Sequence, residues 1–146
     1  MRAVVQRVDE AEVSVDGEIT GKIGKGFLVY YCAEKGDDAR DIAKMAAKIA
    51  AFRIFPDDVG KMNLSIGQAG GSFLVVSQFT LASDPFAGGN RPGFENAMEK
   101  DGAEEFYNKF VAEIRAKGFE VETGVFGAHM MVRSVNAGPL TFIFEL

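Results

Sequence analysis

GFLVYYCA, residues 26–33, is a run of eight residues without a charge, bounded by Lys25 and Glu34. Aromatic, leucine and valine side chains follow one another there instead of alternating with polar ones. The run is also shorter than the 10–12 residues expected of a buried helix, so it reads as a strand covered on both faces and central in its sheet. The rest of the fold is arranged around it.

Upstream, residues 3–8 read as a strand. Residues 11–15 and 18–23 read as two more, joined by Asp16-Gly17, a pair suited to the positive φ angles of a type I′ turn. Downstream, Ile42, Met45, Ala46 and Ile49 recur at helical spacing and predict a helix over 38–51, with Asp37 or Asp38 as N-cap. A second helix is predicted over 102–117, with Phe106, Phe110, Val111 and Ile114 as its apolar stripe and Gly118 as its stop. Asp101 and Glu104 have capping-box spacing at its start. Further strands are expected at 52–55, 72–78, 121–123, 130–135 and 140–144. Regular βαβ alternation is missing, which predicts an α+β fold: a curved, barrel-like, mostly antiparallel sheet with two helices in a single domain spanning residues 1–146.

Composition narrows the function classes. The chain has 146 residues, 47% of them hydrophobic, with 13 phenylalanines and no tryptophan, a core-forming composition for one domain. A formal net charge of −5 argues against coating nucleic acid through bulk electrostatics, so any RNA contact must be local. No apolar run approaches the roughly 20 residues of a membrane span, and the N-terminal stretch lacks a signal-peptide core; a cytoplasmic protein is expected. Cys32 is the one cysteine and His129 the one histidine, which excludes an intrachain disulfide and a zinc site of the usual His/Cys kind. No metal and no cofactor are expected, and Cys32 reads as a buried structural thiol.

Two segments concentrate polar groups at strand ends. VVSQFTL, residues 75–81, presents Ser77, Gln78 and Thr80 where a buried strand gives way to the long segment 82–100, which contains SDPFAGGNRPGF and carries no strand or helix signal. By spacing alone, Ser and Thr there read as strand-end caps; a loop of such length makes a candidate for substrate contact. SVNAGPLTF, residues 134–142, places Asn136-Ala137-Gly138-Pro139 between two strand-like runs. Composition reads it as a β-turn, although a Gly-Pro bond reaches the cis form for roughly 0.5–1 kcal/mol.

Read together, VSQFTL and NxGP resemble the paired signatures of the D-aminoacyl-tRNA deacylase family. MRAVVQRV, VDGEITGKIGKG, RIFPDDVGKMNLS, GNRPGF and VETGVFGAHM are similar to the family in order and spacing, so the resemblance covers essentially the whole chain. It implies a homodimer with active sites at the subunit interface, and aminoacylated tRNA as substrate. It implies further that Gly138-Pro139 is cis and enters the partner's pocket with Asn136 beside it, and that Ser77, Gln78, Phe79 and Thr80 line the reacting ester. Arg7 is the family-like candidate for holding the Gly-Pro segment, its alternative being an ordinary surface ion pair. Leu140 stands where family members commonly have valine, and the loop DPFAGGNRP is slightly longer than usual.

An aminoacyl ester is already activated, so its hydrolysis needs stabilisation of the oxyanion more than a strong nucleophile. Backbone N–H groups around Gln78 and Phe79 are the candidate donors, each worth about 3–4 kcal/mol if well placed. The resemblance suggests that the 2′-hydroxyl of the terminal adenosine assists, leaving His129 structural or exposed, and not a base. Carbonyls of Gly138 and Pro139 holding the α-ammonium would reject L side chains by collision, which also admits glycine, including glycyl-tRNA mischarged on tRNA(Ala). The alternatives are a non-catalytic RNA-binding dimer of the same fold and a Ser-His esterase; the latter lacks a G-x-S-x-G element.

Overall fold

The computed structural model describes residues 1–87 and 89–146, so the part of the long-loop expectation that falls on Gly88 lies outside the described residues. In chain order the elements are β1 (Arg2–Val15), β2 (Glu18–Ile23), β3 (Gly26–Cys32), α1 (Arg40–Ala50), β4 (Arg53–Pro56), β5 (Met62–Ser65) and β6 (Ser72–Ser77). A short 3₁₀ helix (Phe79–Ala82), α2 (Lys100–Ala116), β7 (Val121–Thr123) and β8 (Met131–Glu145) complete it.

β3 is central, as its unbroken apolar run requires. The sheet order is β2-β1-β3-β6-β7, with β8 paired to β1. Even-numbered and odd-numbered residues of β3 and β6 enter different cores. Phe27, Val29, Tyr31, Phe73 and Val75 pack beneath the helices, against Ile42, Met45, Ile49, Phe110 and Ile114. On the other face Leu28, Leu74 and Val76 meet Val8, Val13 and Ile23, strand against strand with no helix between. One face is therefore covered by helices while the other curls upon itself. Near closure comes where β2 meets β7: a methyl group on Gly21 would stand 2.5 Å from the carbonyl oxygen of Thr123.

The pairs made by β1 are antiparallel, whereas β3–β6 and β6–β7 are parallel. Parallel neighbours need long crossovers, and the segments holding α1 and α2 supply them. The helices that interrupt the strand list are thus connections laid over one face.

Several boundaries differ from the sequence expectation. Residues 3–8 and 11–15 are one strand, because β1 exchanges partners without stopping: residues 2–8 pair with β3 and 11–15 with β2. Asp9 and Glu10 are exposed at the exchange. Val8 and Ala11 share a core despite their odd spacing, which a register slip of β1 on β8 explains. β4 and β5 form a small hairpin that the turn-rich sequence between them concealed. The Asp16-Gly17 turn is as expected, with φ of 50° and 86°.

Asp38, one of the two expected caps of α1, bonds the amide of the helix's first residue, whereas Asp101 does not cap α2. α1 begins after Ala39, which is already helical in φ and ψ and has no capping side chain of its own. Asp37 is occupied instead by the Met1 ammonium (2.5 Å) and the Glu34 amide (2.7 Å), and Asp38 accepts the Arg40 amide at 2.8 Å. α2 begins at Lys100, two residues early, so Asp101 lies inside its first turn, where it favours the helix dipole, and forms no capping box. Tyr107 joins Phe110, Val111 and Ile114 on the fully buried stripe, and Phe106 is partly buried against the same core.

Candidate active site

β6 is buried through Val76 and breaks at Gln78, whose φ of −145° and ψ of 78° turn the chain into the 3₁₀ helix. Neighbouring elements fix that turn. The Gln78 amide donates to the carbonyl of Tyr31 on β3 (2.8 Å), and the Tyr107 hydroxyl on α2 donates to the carbonyl of Val75 (2.8 Å). The Cys32 thiol lies 3.6 Å from the carbonyl oxygen of Phe79.

Burial, reinforced by the nearby Glu34 carboxylate, pushes that thiol up to about 11; burial likewise pushes Tyr107 up to about 12 and raises Tyr31. These groups are protonated scaffold at neutral pH. A thiol held in that form is a poor nucleophile, in keeping with the structural reading of Cys32.

One expectation is corrected by this geometry. The Gln78 amide is already bonded to Tyr31, so it is not free to receive an oxyanion. The amides of Phe79 and Thr80 open the 3₁₀ helix and have no hydrogen-bond partner among the described residues, as the first turn of a helix dictates. Nor do the hydroxyls of Ser77 and Thr80 cap the strand: Thr80 Oγ1 accepts the Gln78 side-chain amide at 2.5 Å.

Ser77, Gln78 and Phe79 stand on the wall of a cavity of about 540 Å³. Tyr31, Met98, Tyr107, Phe126, Met130 and Val132 supply much of its apolar surface. Among the described residues no Asp or Glu lines it, while Lys100 and His129 do. His129 is exposed and makes no hydrogen bond to Ser77 or Thr80 among the described residues. Among those residues, His, Cys, Asp and Glu do not gather in threes as metal ligands would.

The second segment sits elsewhere. Residues 131–145 are one strand, and the expected β-turn is instead an excursion from it. Gln6 pairs with Thr141 and Val8 with Asn136, so residues 137–140 stand opposite Arg7 alone. The Gly138-Pro139 bond is cis. Two side chains close the base of the excursion. Arg7 donates to the carbonyls of Ala137 (3.2 Å) and Ile54 (2.7 Å), and takes part in no salt bridge among the described residues. Asn136 accepts the Leu140 amide at 3.2 Å and donates to Thr141 Oγ1 at 3.1 Å.

Gly138 and Pro139 are exposed, and neither they, Asn136 nor Arg7 reaches the cavity wall. Within one chain, therefore, the two segments do not meet. Sequence reasoning missed Lys100, Tyr107 and most of the cavity lining. Tyr107 was legible, since 107, 110, 111 and 114 keep helical spacing at least as well as a stripe beginning at Phe106.

Residues 4–145 match the family described as D-Tyr-tRNA(Tyr) deacylase. A D-aminoacyl-tRNA deacylase of Alteromonas mediterranea is 51% identical over 146 residues, covering 100% of both chains. One from Geobacter sulfurreducens is 52% identical, covering 99% of this chain and 95% of the relative. Among solved structures, the c-Myc DNA unwinding element binding protein superposes with a TM-score of 0.92 at 39% identity, covering 100% of this chain and 99% of that one. A probable eukaryotic D-amino acid tRNA deacylase shares the fold at a TM-score of 0.85 and 18% identity, with 99% and 98% covered.

Proposed function

The chain belongs to the D-Tyr-tRNA(Tyr) deacylase family, and from that membership and the site geometry we propose that it hydrolyses the ester of D-aminoacyl-tRNA, releasing the free D-amino acid and tRNA, as a homodimer in the cytoplasm. The observation that carries this reading is the division of the two family-like segments. Ser77, Gln78 and Phe79 open on a cavity with no carboxylate among its described lining, whereas Gly138 and Pro139 are exposed on an edge strand and do not line it. A second copy, related by two-fold symmetry, brings one chain's excursion to the other's cavity. The exposed Met131, Val135 and Ile143 on β8, at 61%, 48% and 70%, support that strand as part of the interface.

Water attacks the ester carbonyl. Charge developing on its oxygen is received by the amides of Phe79 and Thr80, two main-chain donors held rigid by β3 and α2. The ribose 3′-oxygen leaves, with the vicinal 2′-hydroxyl sharing the proton traffic, so no side-chain base is required and His129 remains outside the chemistry. The Gly138 and Pro139 carbonyls of the second copy hold the α-ammonium. An L side chain then points into the excursion and a D side chain points away, which rejects L substrates by collision. Glycine has nothing to collide, so glycyl-tRNA, including glycine mischarged on tRNA(Ala), is accepted.

The name of the c-Myc relative favours a second reading, a non-catalytic nucleic-acid-binding dimer. Purified protein incubated with D- and L-aminoacyl-tRNA and with a free D-amino-acid ester separates the readings. Release of D-amino acid from tRNA alone supports the deacylase. Binding without release supports the alternative, and hydrolysis of the free ester at a comparable rate contradicts recognition of tRNA.

A further inference from the structure

The mouth of the cavity carries an aromatic pair that ester hydrolysis does not use. Phe79 is 57% exposed, an unusual state for a large apolar ring beside a buried strand, and it meets Phe94 edge to face, with centroids 4.9 Å apart at 68°. Phe94 arrives from the long segment preceding α2, so the ring pair joins the cavity wall to that segment. A cation lies on the same wall. Lys100 lines the cavity, has no carboxylate partner among the described residues, and places its Cε 3.5 Å from where a methyl on Gly127 would stand.

Three acidic groups of the segment leading into α2 are turned to other uses. Glu99 pairs with Lys35 at 3.8 Å, Asp84 accepts the Phe86 amide at 2.9 Å, and Glu95 folds its carboxylate over Gly93. In a chain of net charge −5, a cavity mouth with an exposed phenylalanine backed by a half-buried one, a free ammonium and no carboxylate among the described residues of its wall is a local exception. Stacking surface beside a cation suits one ligand chemistry well: a single-stranded nucleotide, whose base lies on a ring and whose phosphate meets the charge.

We propose that this mouth is a subsite for the penultimate nucleotide of the tRNA 3′ end, its base on the Phe79–Phe94 pair and the phosphate joining it to the terminal adenosine on Lys100. The proposal rests on the deacylase reading above and deepens it, by saying how a cavity large enough for one nucleoside holds on to a whole tRNA. Phe94 and Lys100 are positioning residues: they bear on the polynucleotide and leave the reacting ester to others.

The test compares two substrates that differ only in the two cytidylates preceding the terminal adenosine, D-aminoacyl-adenosine and the D-aminoacyl-CCA trinucleotide, with wild type, Phe94→Leu and Lys100→Gln. Each variant lowers the kcat/KM of the trinucleotide relative to that of the adenosine, through KM, by about tenfold for Phe94→Leu, as for the loss of one base–aromatic stack. For Lys100→Gln the logarithmic salt dependence of the trinucleotide KM becomes shallower by about 0.7, the slope of one phosphate contact on a single strand. A merely structural role slows both substrates equally. If either variant leaves the ratio of the two substrates unchanged, the subsite is overturned. Wild-type protein that hydrolyses neither substrate nor the full tRNA overturns the deacylase reading itself, a different and recognisable result.

Discussion

The two segments of the candidate site are held by opposite means. Residues 77–80 end a strand buried on both faces, and their backbone is bonded to β3 through Tyr31, while α2 holds the preceding strand through Tyr107. Residues 137–140 leave an edge strand, and what fixes their base is side-chain chemistry: the Arg7 guanidinium on the Ala137 carbonyl and the Asn136 amide across the excursion. Where the core supplies rigidity, single side chains matter little. Where two polar side chains supply it, each matters greatly, and substitutions around the excursion should be the costlier.

Gly138→Ala should produce the largest effect. Gly138 has φ of +125°, and an added methyl would stand 2.9 Å from Leu140 Cγ and 3.1 Å from Arg7 Nη2, so the excursion must shift. A displacement of about 1 Å in a substrate-positioning group costs on the order of a hundredfold. Steady-state hydrolysis of D-aminoacyl-tRNA should fall by that much, with the elution volume on size exclusion unchanged.

Arg7→Lys comes next. Lysine keeps the charge but lacks the fork that spans the carbonyls of Ala137 and Ile54. Activity should drop roughly tenfold, equivalent to about 1.5 kcal/mol for a hydrogen bond to a charged group. If a surface ion pair were all that Arg7 contributed, lysine would substitute without loss.

On the rigid side, Thr80→Ala removes the hydroxyl that accepts from Gln78 and leaves the main-chain donors in place. A reduction of about threefold is expected, near the low end for one neutral hydrogen bond. An acyl-enzyme trapped on Thr80 and seen by mass spectrometry would instead make the hydroxyl a nucleophile.

The smallest effect is one of stability against pH. The Cys32 thiol is raised from 9.0 to about 11 in the folded chain, so between those values the unfolded chain loses its proton while the folded chain keeps it. Stability is therefore complete below about pH 9 and declines as pH rises toward 11, joined at higher pH by Tyr107 and Tyr31. Thermal melts from pH 8 to 11 should show this decline, and Cys32→Ala should flatten its first part. The same decline in that variant would remove Cys32 as the cause.

The sequence made the rigid region legible and the edge region less so, for a physical reason. An uncharged run such as residues 26–33 permits few structures, and hydrophobic spacing locates both helices to within two residues at every boundary. Patterning says less about an edge strand. In β8 the exposed Met131, Val135 and Ile143 blur alternation, and NAGP has the composition of a turn while the chain makes an excursion and continues. Charge at Asp9 and Glu10 looks like a break between two strands, whereas β1 exchanges partners there and continues. Sequence does not tell the free amides of Phe79 and Thr80 from that of Gln78, because the Tyr31 carbonyl that occupies the latter lies on another strand.

The composite site is tested most directly by subunit complementation. Gly138→Ala chains, whose excursion is displaced, are mixed through unfolding and refolding with chains carrying Phe79→Pro, which removes a main-chain donor from the cavity side. Each variant alone should be nearly inactive. In a one-to-one mixture half the dimers are mixed, and each mixed dimer pairs one sound cavity with one sound excursion, so about a quarter of wild-type D-aminoacyl-tRNA hydrolysis should return. Activity that stays at the level of the separate variants, with mixed dimers verified by mass spectrometry, would mean that cavity and excursion do not meet across two chains.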